Sequence, residues 1–223
     1  MCFSAVASFA GGAVISGVGV ATQTEKQRPG QRLFASIPLI FSVQQFAEGF
    51  VWLTLKSGTN EYVQNFATHV FLTAALVVWP TFVPLSICLM EDVKSRKMIL
   101  WALVIVGGIV SIFNAYNLVI YQVTPQIQDL HIKYVDNFPS SLYLIPIFYG
   151  VSTVLPFFVS SVKRVWLLGL AIAISLWVAV IFYTQYVTSV WCFFAALLSV
   201  MIYWVLQAPS GASPRPSEYP PDK

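Results

Sequence analysis

Charge is what this sequence has least of. Only 9% of its 223 residues are charged, against 57% apolar, whereas soluble domains carry about a quarter charged residues. A soluble fold of this size could not clothe its surface with so few, so the composition implies an integral membrane protein. The scarcity of other residue types narrows the chemistry further. The three cysteines, Cys2, Cys88 and Cys192, make no CxxC pair and no metal-ligand spacing, which excludes a disulfide framework. There is no CxxCH for covalently attached haem, and a single membrane histidine cannot give bis-His ligation. HExxH is missing, so zincin-like hydrolysis has no basis. The apolar runs hold no lysine for a retinal Schiff base and no repeated arginine for a voltage sensor. With one carboxylate inside them, a charged channel ring would require oligomerisation. Seven-helix hydrolases that use several His and Asp ligands are poorly matched, because the last run has no histidine. Lys and Arg fall in the connections and the tail, so no basic patch of the nucleic-acid kind exists and no nucleic-acid partner is expected.

What is there is a succession of apolar runs. A bilayer core of about 30 Å needs roughly 20 apolar residues per helix. Seven stretches qualify: 2–22, 33–55, 67–90, 98–122, 142–162, 165–184 and 189–207. The fold they predict is an all-α integral membrane protein, a seven-transmembrane-helix bundle over 1–208. The first run lacks a positive leading region and is long enough to span, so it reads as a retained helix rather than a signal peptide. Ten Lys and Arg residues fall on one side of these runs and only Lys56 and Lys133 on the other. The positive-inside rule then puts the N-terminus outside and the C-terminus in the cytosol, in a cell (inner or plasma) membrane crossed several times. Residues 209–223, rich in proline, read as a disordered cytosolic tail. Between Val123 and Ser141, Leu130, Ile132 and Tyr134 alternate with Asp129, His131 and Lys133, which suggests a short extended lid over the outer mouth. His131 there reads as a solvated side chain. No internal repeat is evident, which weakens a transporter built from inverted halves.

Polar groups in hydrocarbon must find partners, so they mark the candidate site. Glu48 is the one carboxylate well inside a helix; Gln44 at i−4, Gln45 at i−3 and Trp52 at i+4 share its face. Seven residues from the outer end of its run, Glu48 lies about 10 Å deep. In the fourth run, Asn114, Asn117 and Tyr121 follow helical spacing in the half nearer the outside. His69 and Thr73 lie near the outer end of the third, and Cys2 and Cys192 near the outer ends of the first and last. This clustering at one depth points to an outward-facing pocket. The plain alternative is interhelical glue, worth about 0.6–2 kcal/mol per hydrogen bond. Cys2 is open between a ligand or nucleophile beside a freed α-amine, a disulfide with Cys192, and an ordinary buried thiol. Ser4, Ser8, Gly12, Ser16 and Gly19 form a small-residue stripe for tight helix packing. Pro38, Pro80, Pro84, Pro146 and Pro156 predict kinks.

Three stretches, MCFSAVASF at the start, FSVQQFAEGFVWL in the second run and SVWCFFAALLS in the last, resemble an uncharacterised bacterial multi-pass membrane-protein family whose members begin Met-Cys-Phe-Ser-Ala. The resemblance supports the fold and implies no activity, ligand or catalytic set. Three functional readings stand at this point. The first is a binder of a small polar ligand or metal ion, for sensing or transport, with Glu48 as charge, Gln44, Gln45, Asn114 and Asn117 as orienting amides and Trp52 as apolar wall. The second is a metal-dependent membrane enzyme using Cys2, His69 and Glu48, a donor set that suits a zinc-like ion. The third is a structural membrane subunit. Enzyme and binder are not separated at this stage.

Overall fold

The computed structural model describes residues 4–25, 27, 30–58, 60–128, 130–138 and 144–207. Cys2 and the proline-rich tail lie outside them. Six helical stretches among the described residues are long and apolar enough to cross a membrane: Ala5–Thr24, Gln31–Ser57, Glu61–Met90, Lys94–Ile120, Val165–Phe182 and Thr184–Leu206. A further apolar helix, Leu144–Val159, has 16 residues, or about 24 Å at 1.5 Å per residue, short of a bilayer core of about 30 Å. Among the described residues, the seven spans expected from composition thus correspond to six helices of full length and one of 16 residues. The expected run from 142 extends into residues outside the described set.

Helix α1 (Ala5–Thr24) starts where the Ser4 hydroxyl accepts the Ala7 N–H at 3.2 Å, an N-cap. A five-residue α2 (Gln31–Ala35) leads through Ser36 into α3 (Ile37–Ser57), which has Pro38 in its first turn. The small-residue stripe of α1 is spent inside the chain, against α3: the Ser42 hydroxyl donates to Gly12 O at 3.1 Å and lies 2.5 Å from Ser16 Oγ. The third stretch is composite. It runs as α4 (Glu61–Leu72), a π-helical segment Thr73–Val78 and α5 (Trp79–Met90). Then follow α6 (Lys94–Ile120), the antiparallel hairpin of β1 (Val123–Gln128) and β2 (His131–Asp136), α7 (Leu144–Val159) and α8 (Val165–Phe182). A 3-10 turn at Thr184–Tyr186 opens the last stretch, α9 (Val187–Leu198) and α10 (Val200–Leu206). α9 packs on α3 and α10 on α1, which closes the bundle.

Polarity is inverted relative to a soluble protein. Val119 is 82% exposed and Ile112 74%, while Gln44, Gln45 and Glu48 are fully buried. Apolar surface of this extent suits lipid. One end of the bundle, the basic end, carries Arg32, Lys94, Arg96, Lys97, Lys163 and Arg164 in its connections and helix termini; the other, the hairpin end, carries Lys56 and Lys133. At the basic end, buried Glu91 binds the α5–α6 connection to the α7–α8 connection. Its carboxylate accepts the Val93 N–H at 2.9 Å, the Ser161 N–H at 2.6 Å and the Ser161 hydroxyl at 2.5 Å.

The structure corrects two sequence expectations. The helices outlast their apolar runs, so Lys56, Lys94 and Lys97 fall in helical end turns, none of them buried. His131 is not solvated: at 9% exposure its ring stacks on Tyr186 at 4.8 Å and meets the edge of Tyr183 at 5.2 Å. Alternation identified extended backbone in the loop, but the aromatic cover comes from the far end of the chain, 52 residues and more away.

Candidate functional site

The face of α3 expected to bear the site is turned into the bundle. Helical spacing brings Gln44, Gln45, Glu48 and Trp52 to one side, and all four are 1% exposed or less. Gln44 Oε1 accepts the Trp79 indole N–H at 2.9 Å, and Trp79 stacks on Phe41 at 4.0 Å. Glu48 Oε1 accepts the hydroxyl of Ser189, two residues into α9. Cys192, one turn further along α9, lies beside Gln44 and Glu48. Trp52 packs with Ala5, Val51, Ala67 and Ile132 beneath the hairpin, and the Lys56 ammonium sits 5.6 Å from its ring. Both amide atoms of Gln45, Glu48 Oε2 and Trp52 Nε1 have no protein partner among the described residues.

Asn114 plays a part that only the fold discloses. Within the π-helical segment the Trp79 N–H bonds to Ala74 O, five residues back. The next two carbonyls, Ala75 and Leu76, look to position 80 at spacings of five and four, and Pro80 has no N–H. Neighbouring helices supply the missing donors. Tyr149 of α7 donates its hydroxyl to Ala75 O at 2.5 Å, and Asn114 of α6 donates its amide to Leu76 O at 2.9 Å. Ser111 donates to Val77 O at 2.6 Å. Asn117, 1% exposed, lies one turn beyond Asn114, and its Nδ2 has no partner among the described residues.

Of the residues considered as metal ligands, His69 and Glu48 are not brought together. His69 is exposed and its Nδ1 is 2.8 Å from Asn65 O of its own helix, whereas Glu48 faces inward to Ser189. Cys2 lies outside the described residues. Among those described, no three His, Cys, Asp or Glu side chains could hold a metal ion together.

A cavity of about 580 Å³ opens at the hairpin end, between the π-helical segment, α6, β2, α7, α8 and α9. Its walls are largely apolar. Asn114, Tyr134, Asp136 and Thr188 supply polar groups, and Tyr149, Trp191 and Cys192 form its floor. Those three floor residues also roof a pocket of about 40 Å³ deeper in the bundle. Tyr149 and Trp191 meet edge to face at 5.7 Å. Of the sequence-derived set, Asn114 lines the large cavity; Gln44, Gln45, Glu48, Trp52 and Asn117 are not among its lining residues. α9 is shared between the two: Thr188 lines the cavity, Ser189 holds Glu48, and Cys192 lines the cavity while lying beside Gln44 and Glu48.

Sequence reading missed Ser189, Trp79 and Tyr149. Each bears one polar atom in an apolar run, a weak signal. Trp79 immediately before Pro80, and Tyr149 within a strongly apolar helix, were nevertheless legible as groups in search of an acceptor.

Residues 1–217 match the model of DUF6629, a family of unknown function. The chain belongs to that family. Neither the curated proteins nor the solved structures contain a match to it.

Proposed function

We propose that this member of the family is a multi-pass membrane protein that binds a small, largely apolar organic molecule in the cavity at its hairpin end, for sensing or transport. The observation that carries the reading is the cavity itself. Its volume of about 580 Å³ falls in the range of about 300–1,000 Å³ typical of small-molecule sites, and a few polar groups on apolar walls are their usual lining. Asp136, the charged residue of that lining among the described residues, favours a ligand with a hydrogen-bonding or cationic head. Six cations at the basic end against two at the hairpin end, among the described residues, support an orientation with the cavity facing outward. Such a bundle suits a cell membrane.

The test is native mass spectrometry of protein extracted from its own membranes in mild detergent, compared with Thr188→Trp. Thr188 is half-buried on the cavity wall, so an indole there fills the space without touching the Glu48 face. The expected result is a small-molecule adduct on the parent protein that is lost in the variant. An adduct of equal occupancy in both, or none in either, overturns the reading.

A further inference from the structure

We infer that the buried face of α3 carries a hydrated site, in which water molecules bridge Gln45, Glu48 and Trp52 and exchange protons with the Glu48 carboxyl. Gln45, Glu48 and Trp52 are not among the residues that line the cavity, so the inference does not depend on what the cavity holds.

The starting point is four polar atoms on one helix face. Glu48 Oε2, Gln45 Oε1, Gln45 Nε2 and Trp52 Nε1 are buried without a protein partner among the described residues. An unsatisfied buried polar group is costly, and four together would consume a large part of the marginal stability that holds an ordinary domain. Two more hydroxyls in the same condition come from the helices on either side: Ser8 on the face of α1 that packs on α3, and Thr68 next to Ala67, which packs on Trp52. Four unpaired polar atoms on one helix face call for a guest.

Their chemistry selects it. The Gln45 amide and the Trp52 indole offer N–H donors; Glu48 Oε2 and Gln45 Oε1 offer acceptors. A bare metal ion would engage the oxygens and leave the indole N–H facing positive charge, and an anion would face the Glu48 carboxyl. Water donates and accepts, and ordinarily makes about three such bonds in a buried polar site. The Ser189 hydroxyl already holds the other Glu48 oxygen, so the carboxyl is fixed with its second oxygen towards the guest. The site lies directly below the hairpin, since Trp52 shares its apolar cluster with Ile132 and Tyr134 of β2. Exchange with solvent therefore has a short route, at that end.

Hydroxyl-radical footprinting tests the water. Radicals formed at a bound water oxidise the side chain beside it even when bulk solvent is excluded. Trp52 is 1% exposed and Trp79 3%, the same side chain at nearly the same burial, but Trp79 already has its partner in Gln44. In the unaltered protein, pulsed in 18O-water, Trp52 is expected to take up label several-fold faster than Trp79, and Gln45→Leu is expected to bring it down to the Trp79 rate. Equal labelling of the two tryptophans in the unaltered protein overturns the site without recourse to a variant. Infrared spectroscopy tests the proton: the band present in the protein and lost in Glu48→Gln is that of Glu48, and it is expected to shift in D2O. A Glu48 band indifferent to D2O overturns the proton-exchanging part of the inference.

Discussion

Two buried glutamates show how far a single residue can be read from sequence. Glu48 announces itself, because a carboxylate in an apolar run of helical length has few structural excuses. Glu91 does not: it opens the charged stretch EDVKSRK and looks like an ordinary loop acid. In the fold Glu91 is the better satisfied of the two, fully buried yet held by donors from Val93 and Ser161 across two connections. Burial alone would push its carboxyl up, but the hydrogen bonds from Ser161, Val93 and Ser160 hold it below the usual value of 4.5. A lowered value in the folded state means stability that is present above pH 4.5 and lost as the pH falls through the folded-state value. Ser161→Ala removes one of these donors and is expected to melt below the parent protein at neutral pH, by the equivalent of about 1–2 kcal/mol. The gap should begin to narrow as the pH falls below 4.5 and close as it passes through the folded-state value; a gap indifferent to pH would mean that Glu91 carries no such role.

At the scale of the element, the third stretch explains why Asn114 sits where it does. Proline at position 80 was legible as a kink. The π-helical turn before it, and the three donors that repair it, were not, because they come from α6 and α7, some 30 to 70 residues distant. Pro84 has a counterpart effect: it denies an N–H to Pro80 O, and α6 approaches that carbonyl through Gly107. A Cβ on Gly107 would lie 1.8 Å from Pro80 O, whereas one on Gly108 would meet nothing within 4 Å. Gly107→Ala should therefore lower the melting midpoint by the equivalent of about 1–3 kcal/mol. Its neighbour Gly108→Ala should be neutral or stabilising by up to about 1 kcal/mol through helix propensity. Equal effects of the two would contradict the packing of α6 on α5. Asn114→Leu keeps the shape and leaves Leu76 O unpaired, for an expected loss of about 1–3 kcal/mol in the same melts. An unchanged midpoint would show that the carbonyl finds another donor.

For the whole molecule, composition and the spacing of apolar runs were enough to yield the helical membrane-type bundle, because hydrocarbon requires each crossing segment to satisfy its own backbone. They carried the α7 run to residue 162, past the helix end at Val159, and placed the polar residues at a common depth without saying which way they faced. Helical phase put Gln44, Gln45, Glu48 and Trp52 on one side, and that grouping stands. The cavity was not legible, since its walls are apolar residues such as Leu72, Leu176 and Val180, indistinguishable in sequence from those that face lipid. The space lies where α9, closed against α3, meets α6, α7 and α8.

The central claim, an open cavity at the hairpin end facing away from the cytosol, is tested most directly by placing a thiol in its wall. Thr188→Cys is exposed to a small, charged, membrane-impermeant thiol reagent on intact cells, with peptide mapping to separate it from Cys2, Cys88 and Cys192. Labelling at position 188 on intact cells, with Cys88 in the apolar core unlabelled, is the predicted result. Labelling at 188 that appears only after the membrane is opened would reverse the orientation, and a thiol there that stays silent in both conditions would contradict the cavity.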